Sequence, residues 1–362
     1  MKTLRNLTGL LLVALLLTAC AQGGGQVSQP GPDPREVIQQ AITIPNRFSL
    51  EPVTVEHGED YVIDWEDAGM EEHIRFLLDK PDGDILHSDV WDVQILTIQP
   101  DNGRPHDVML TQPPDGSERF EWEKVFYLEF KEGVWKEYGF REFTPIKSLH
   151  DLRHFDSLQF FEAYLTWQEG PELTDLSGVE CCTKLIELCV YNARPGTLEP
   201  LGQMPWLKKL TLSDCGKLDL SPLTVLSELN VLSVDGCELV SLEPLAMLPS
   251  LRTLHLGFEA TYPSLEPLTR STVENLDLGL SVSGRDKYDS LDYAHLTQIP
   301  SLIYLDVSNH TAFDADDCTA VLENSPNLKY LDISYTPAAN AIKEGDWEAD
   351  FSQLEACLAL PD

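Results

Sequence analysis

Residues Leu207–Glu228 read LKKLTLSDCGKLDLSPLTVLSE, and Leu229–Ser250 read LNVLSVDGCELVSLEPLAMLPS. Written one above the other, the two stretches share L-x-x-L-x-L/V, then a cysteine, then an L-x-P-L phrase. The first pattern starts at Leu185, Leu207, Leu229, Leu251, Val273, Leu302 and Leu328, so successive starts differ by 22, 22, 22, 22, 29 and 26 residues. Five starts in one register are a repeat, and no unit this short can bury its own leucines. Each unit supplies a short strand whose alternate residues face inward, a turn, and a tight return on the opposite side. Stacked neighbours bury the leucines together.

This pattern resembles the leucine-rich repeat, and the 22-residue unit with its x-x-P-L phrase resembles the internalin-type class. The resemblance covers 149–336. It implies an α/β solenoid, a right-handed arc with short parallel strands on its concave face. The convex side is expected to be 3₁₀, extended or short helical, because proline fixes φ and the unit leaves little room for a helix. A longer unit has that room, and DADDCTAVLENS, Asp314–Ser325, is read as a helix with acids at its N-terminus. In this family the place of Cys215 and Cys237 is taken by asparagine or cysteine pointing inward, which implies structural, reduced thiols. The other cysteines, 181, 182, 189, 318 and 357, form no C-x-x-C spacing, so no zinc or redox motif is read. A disulfide between stacked rungs stays open on distance, although parallel side-chain directions disfavour it.

Outside 149–336 the pattern loosens. Phe160 and its neighbours align with a rung, with aromatics for leucines, and Val125/Leu128/Phe130 and Val93/Leu96/Ile98 are read as earlier rungs separated by inserts. Met70, Ile74, Leu77 and Leu78 share one helical face after an N-cap at Asp67, which predicts a cap over the first rung. Residues 35–148 are therefore read as an N-terminal arm, helical cap and irregular early repeats. Residues 337–362 are read as a C-terminal cap.

The chain begins MKTLRNLTGLLLVALLLTAC. Basic Lys2 and Arg5, an apolar run too short to span a bilayer, and small residues make 1–19 an export signal. The ending Leu17-Thr18-Ala19-Cys20 resembles the lipobox of bacterial lipoproteins, which implies lipid on Cys20 and an extracytoplasmic, membrane-anchored body. Residues 20–34 then form a flexible tether of at most about 45 Å.

The net charge of −35 repels nucleic acid phosphates and biases partners toward basic surfaces. No phosphate loop, nucleophile elbow or H-E-x-x-H helix is present, so neither catalysis nor a cofactor is expected. His150 and His154, at i and i+4, are read as part of a repeat turn and not as a metal site. Candidate ligand-binding residues are those flanking the inward leucines. One column runs Glu129, Glu162, Cys189, Thr211, Ser233, His255, Asp277, Asp306, Asp332. The next runs Tyr127, Phe160, Glu187, Lys209, Val231, Thr253, Asn275, Tyr304, Tyr330, with Tyr164 and Tyr191 nearby. The expected activity is binding of a protein or cell-envelope component, basic in character, through the concave face. A small-ligand or glycan-binding lipoprotein, or an enzyme domain within the arm, stands as the alternative.

Overall fold

The computed structural model describes residues 53, 55–98, 109–111, 144–165, 173–257, 259–281 and 291–359. These belong to two compact units, Ile44–Val273 and Glu274–Asp362. The signal, the Cys20 lipobox, the tether, and Tyr127 and Glu129 lie outside the described residues.

In the first unit, helix α1 (Ala68–Leu77) is capped by Asp67, whose side chain accepts from Met70 N at 2.9 Å. The N-cap is where the sequence places it. The buried face differs: Met70, His73 and Ile74 are buried, whereas Leu77 and Leu78 are only half-buried. Asp67 has a second duty, accepting from Lys147 N at 2.9 Å and Ser148 N at 3.0 Å. Fully buried Asp151 answers it, accepting from Glu66 N at 3.0 Å and Asp67 N at 2.8 Å. Two carboxylates thus sew the cap to the first repeat with backbone N–H groups, which is how buried polar atoms avoid an unpaired state. Gly69 permits the approach, since a Cβ there would stand 2.6 Å from the carbonyl oxygens of Thr144 and Pro145.

The strands of this unit are β1 (Ile95–Ile98), β2 (Met109–Thr111), β3 (Phe160–Tyr164), β4 (Glu187–Tyr191), β5 (Lys209–Ser213), β6 (Lys217–Leu218), β7 (Val231–Ser233), β8 (Glu238–Leu239) and β9 (Thr253–His255). The main sheet runs β2-β1-β3-β4-β5-β7-β9, parallel except that β2 is antiparallel to β1. Leu96, Phe161, Leu188, Leu210, Leu232 and Leu254 stand in register and are fully buried. The return segments are 3₁₀, as the proline phrase predicts: Ser221–Val225, Glu243–Met247 and Glu266–Arg270 each carry proline in the first two positions. Each turn after a strand needs one left-handed residue, and Asn192, Asp214 and Gly236 supply it at φ of 62°, 55° and 66°. These residue types tolerate that conformation best.

The second unit contains β10 (Asn275–Asp277), β11 (Tyr304–Asp306), α2 (Ala315–Asn324), β12 (Tyr330–Asp332), α3 (Pro337–Glu344) and β13 (Ala356–Leu358). Its four strands pair in parallel in chain order. Helix α2 is the one expected from DADDCTAVLENS, with Asp314 and Asp317 forming a reciprocal cap. The C-terminal segment corrects the sequence reading. Beyond α3 it does not simply cover the last rung but adds another, with Leu331 beside Cys357 and Asp332 beside Leu358. Cys357 and Ala359 replace the expected leucines, which hid that rung. Among the described residues the two units carry the same α/β leucine-rich-repeat ladder.

Asp67→Ala is expected to cost about 3 kcal/mol, since it leaves buried N–H groups unpaired as well as removing the helix cap. Urea unfolding measures this; a loss below about 1 kcal/mol would remove the carboxylate stitch from the account.

Candidate functional site

Because side chains alternate along a strand, residues flanking the buried leucines share the opposite face of the sheet. In the first unit one column is Ile95, Phe160, Glu187, Lys209, Val231, Thr253, and the next is Thr97, Glu162, Cys189, Thr211, Ser233, His255. The members from Phe160 and Glu162 onward are those read from the sequence. The first is not: β1 pairs directly with β3, so Ile95 and Thr97 occupy the places beside Phe160 and Glu162 that were assigned to Tyr127 and Glu129.

This face is less open than expected. Phe160 is 2% exposed and packs with Ile95 and Cys189, with Tyr191 against them. It is core and not a platform for a ligand. Tyr164 and Tyr191 stack in parallel at 4.0 Å and 4°, and burial raises both phenols above the ordinary tyrosine range. Glu187, also 2% exposed, pairs with Lys209 Nζ at 2.5 Å. Glu162 and His255 are half-buried.

The second unit concentrates acid. Asp277, Asp306 and Asp332 are direct neighbours on β10, β11 and β12. Each accepts a backbone N–H two residues on, from Gly279 at 2.9 Å, Ser308 at 2.7 Å and Ser334 at 2.8 Å. The D-x-G/S spacing is thus a local turn motif as well as a column of charge. Burial, and then the flanking carboxylates of Asp332 and Asp277, push Asp306 well above the usual carboxylate range. Tyr304 and Tyr330 stand beside the column but are 9% and 8% exposed, their rings packed with Ala356. Tyr304 OH donates to Asp306 at 3.2 Å, and Tyr330 OH to Glu355 at 2.6 Å. The expected tyrosine ladder is therefore largely buried structure, and the carboxylates are what it leaves on the face.

One residue escaped the sequence reading. Tyr335 follows β12 in the turn position held elsewhere by Asn, Asp or Gly, with φ of 63° and 50% exposure. A bulky residue is uncommon there, and this one leaves an aromatic side chain half-exposed. The signal was present as the tyrosine that directly follows the D-I-S turn.

Other clusters have structural duties. His150 pairs with Glu66 at 3.2 Å and His154 Nδ1 meets Tyr61 OH at 2.8 Å, so the i, i+4 pair serves different partners. Among the described residues no group of three or more His, Cys, Asp or Glu is placed to hold a metal ion. No helix among them is long and apolar enough to cross a membrane. An open trough of about 440 Å³ runs before the strands of the second unit, lined by Glu274, Ile303, Asn327, Lys329, Gln353 and Glu355 among others. Cys215 and Cys237 point inward: Cys237 Sγ donates to Leu212 O at 3.2 Å and receives Cys215 N at 3.3 Å.

Burial pushes the Cys189 and Cys318 thiols up to about 12, which leaves little thiolate to react. Brief alkylation of the native chain is expected to label exposed Cys181 and half-buried Cys357, and to spare Cys182, Cys189, Cys215, Cys237 and Cys318. Mass mapping checks this; rapid labelling of Cys215 or Cys237 would contradict it. Asp306 gives a second expectation. Its folded pKa lies above the unfolded one, so its stability contribution is intact at low pH and lost as pH rises through the folded value. Asp306→Asn should raise the melting midpoint at pH 7 by about 2–4 °C and lose that advantage near pH 4. A lower midpoint at pH 7 would show the carboxylate to be stabilising.

No family model and no curated protein matches the chain. Among solved structures, an internalin C2 from Listeria monocytogenes is 17% identical, with 67% of this chain and 84% of that one covered at a TM-score of 0.41. An internalin (inlF) from the same species is 16% identical, with 82% and 91% covered at a TM-score of 0.40.

Proposed function

We propose that this chain is a leucine-rich-repeat binding protein, held at a bacterial surface through lipid on Cys20. It takes a basic protein segment or cell-envelope component on its strand face, without catalysis. The observation that carries the reading is the column Asp277–Asp306–Asp332, with its central carboxylate pressed between two others. Each acid accepts a backbone N–H, and the register sets the three carboxylates side by side on adjacent strands. A lysine or arginine from a partner would relieve the repulsion and gain charge-assisted bonds. Net charge of −35 would steer such a partner in, and Tyr335 offers it an aromatic contact at the rim. Stacked repeats present such columns over many rungs, the usual basis of recognition by solenoids.

The small-ligand alternative draws on the 440 Å³ trough, which is large enough for one. Its mostly polar lining and openness favour the macromolecular reading.

A lysine-rich peptide should bind the full chain in a salt-sensitive manner, measured by fluorescence anisotropy. The triple variant Asp277→Asn, Asp306→Asn, Asp332→Asn should weaken it about tenfold or more, at about 1.4 kcal/mol per tenfold. A control replacing exposed Glu199, Glu228 and Glu323 by glutamine makes the same change in net charge elsewhere. Equal weakening by the two sets would reduce the column to part of a diffuse acidic surface.

A further inference from the structure

Three segments of the first unit meet at His57. It lies on the irregular stretch that enters the cap, ahead of the bridge between Val62 and Leu86. Its Nε2 is 2.9 Å from Asp92 Oδ1, on the turn before β1, and its Nδ1 is 3.2 Å from Asp156 Oδ2, on the turn before β3. Trp91 lies flat on the ring at 4.2 Å and 11°, and its indole N–H donates to the other Asp92 oxygen at 3.1 Å. A neutral imidazole has one N–H and one lone pair, so it can donate to only one carboxylate and must turn its lone pair on the other. Only the doubly protonated ring satisfies both. The His57 side chain is 18% exposed and that of Asp92 53%, so protons reach the pair from solvent.

We propose that His57 is a proton-operated clamp: charged, it pins residues 55–60 across the turns bearing Asp92 and Asp156, and on losing a proton it lets them go.

The surroundings fit this assignment. Asp156 also faces His87 Nε2 at 3.3 Å, although neither His87 nitrogen makes a hydrogen bond. Tyr61 stacks on His87 at 4.6 Å and meets His154 through its hydroxyl. Asp60 is engaged by Ser88 through N–H at 2.9 Å and hydroxyl at 2.7 Å. The nearby cation Arg153 is drawn to Glu66 at 2.7 Å. Burial opposes charge on His57, but the bonds to Asp156 and Asp92 outweigh it and raise its pKa. Burial and Arg153 instead lower that of His154. The two rings therefore act in opposite senses. The stability from His57 is complete below the ordinary histidine value and is lost as pH rises through its raised one. That from neutral His154 is present above the ordinary value and is lost as pH falls through its depressed one. The cap is tightest between the two. On the tether reading of 20–34, release of the clamp would add about 3.3 Å of reach for each residue freed.

The test is a pH titration of the histidine ring protons by NMR on the full chain, with the His57 signal assigned from His57→Gln. Amide exchange of His87, whose N–H bonds Tyr61 O at 2.8 Å, is followed alongside. His57 is expected to titrate above 6.5, and Asp92→Asn to lower that value while His154 keeps its own. Protection of the His87 amide should fall by about tenfold per pH unit beyond the titration, and His57→Gln should abolish this pH dependence. A His57 that titrates at or below 6.5, or is unmoved by Asp92→Asn, overturns the clamp. So does a His87 protection profile shared by the parent and His57→Gln. If His57→Gln fails to fold, the Asp92→Asn titration alone decides.

Discussion

Everything on the strand face follows from one constraint: in a parallel ladder of fixed register, like positions stack on like positions. Once Leu188, Leu210, Leu232 and Leu254 must all point into the core, the residues between them have no choice but to form columns. A column of threonine and serine costs little. A column of aspartate stores repulsion, because neighbouring strands stand only about 4.8 Å apart. The hydrophobic register therefore creates the electrostatic feature, and Asp306 cannot leave its neighbours without taking Leu305 out of the core.

The same logic explains which parts of the molecule were legible in the sequence. The leucine register, the Asp67 cap, the acid-led helix at 314–325 and the proline-bearing 3₁₀ returns depend on residues within a few positions of each other. The rungs at Phe160 and at Ile95 were also readable, but their order across the insert was not, because pairing of β1 with β3 is decided in space. Phe160, Tyr304 and Tyr330 were taken for exposed aromatics because alternation says only which way a side chain points. Whether it is covered depends on neighbours such as Ile95 and Ala356 that belong to other rungs. The last rung was missed since Cys357 and Ala359 stand where leucine was sought. His57 and its carboxylates, separated by 35 and 99 residues, carry no local pattern at all.

The chain spends its many acids in two ways, and the contrast separates scaffold from surface. Asp67 and Asp151 are buried where backbone N–H groups converge on them, so each carboxylate replaces the water it lost with fixed donors. Asp277, Asp306 and Asp332 also receive backbone N–H groups, but they receive each other's charge as well. Lys209 shows what resolves such a conflict: it stands one rung from buried Glu187 and neutralises it within the ladder. No lysine or arginine occupies the corresponding places beside Asp306, where the register sets aspartate on either side. The hydrophobic register that buries Leu276, Leu305 and Leu331 is thus also what holds three carboxylates in one row on the opposite face.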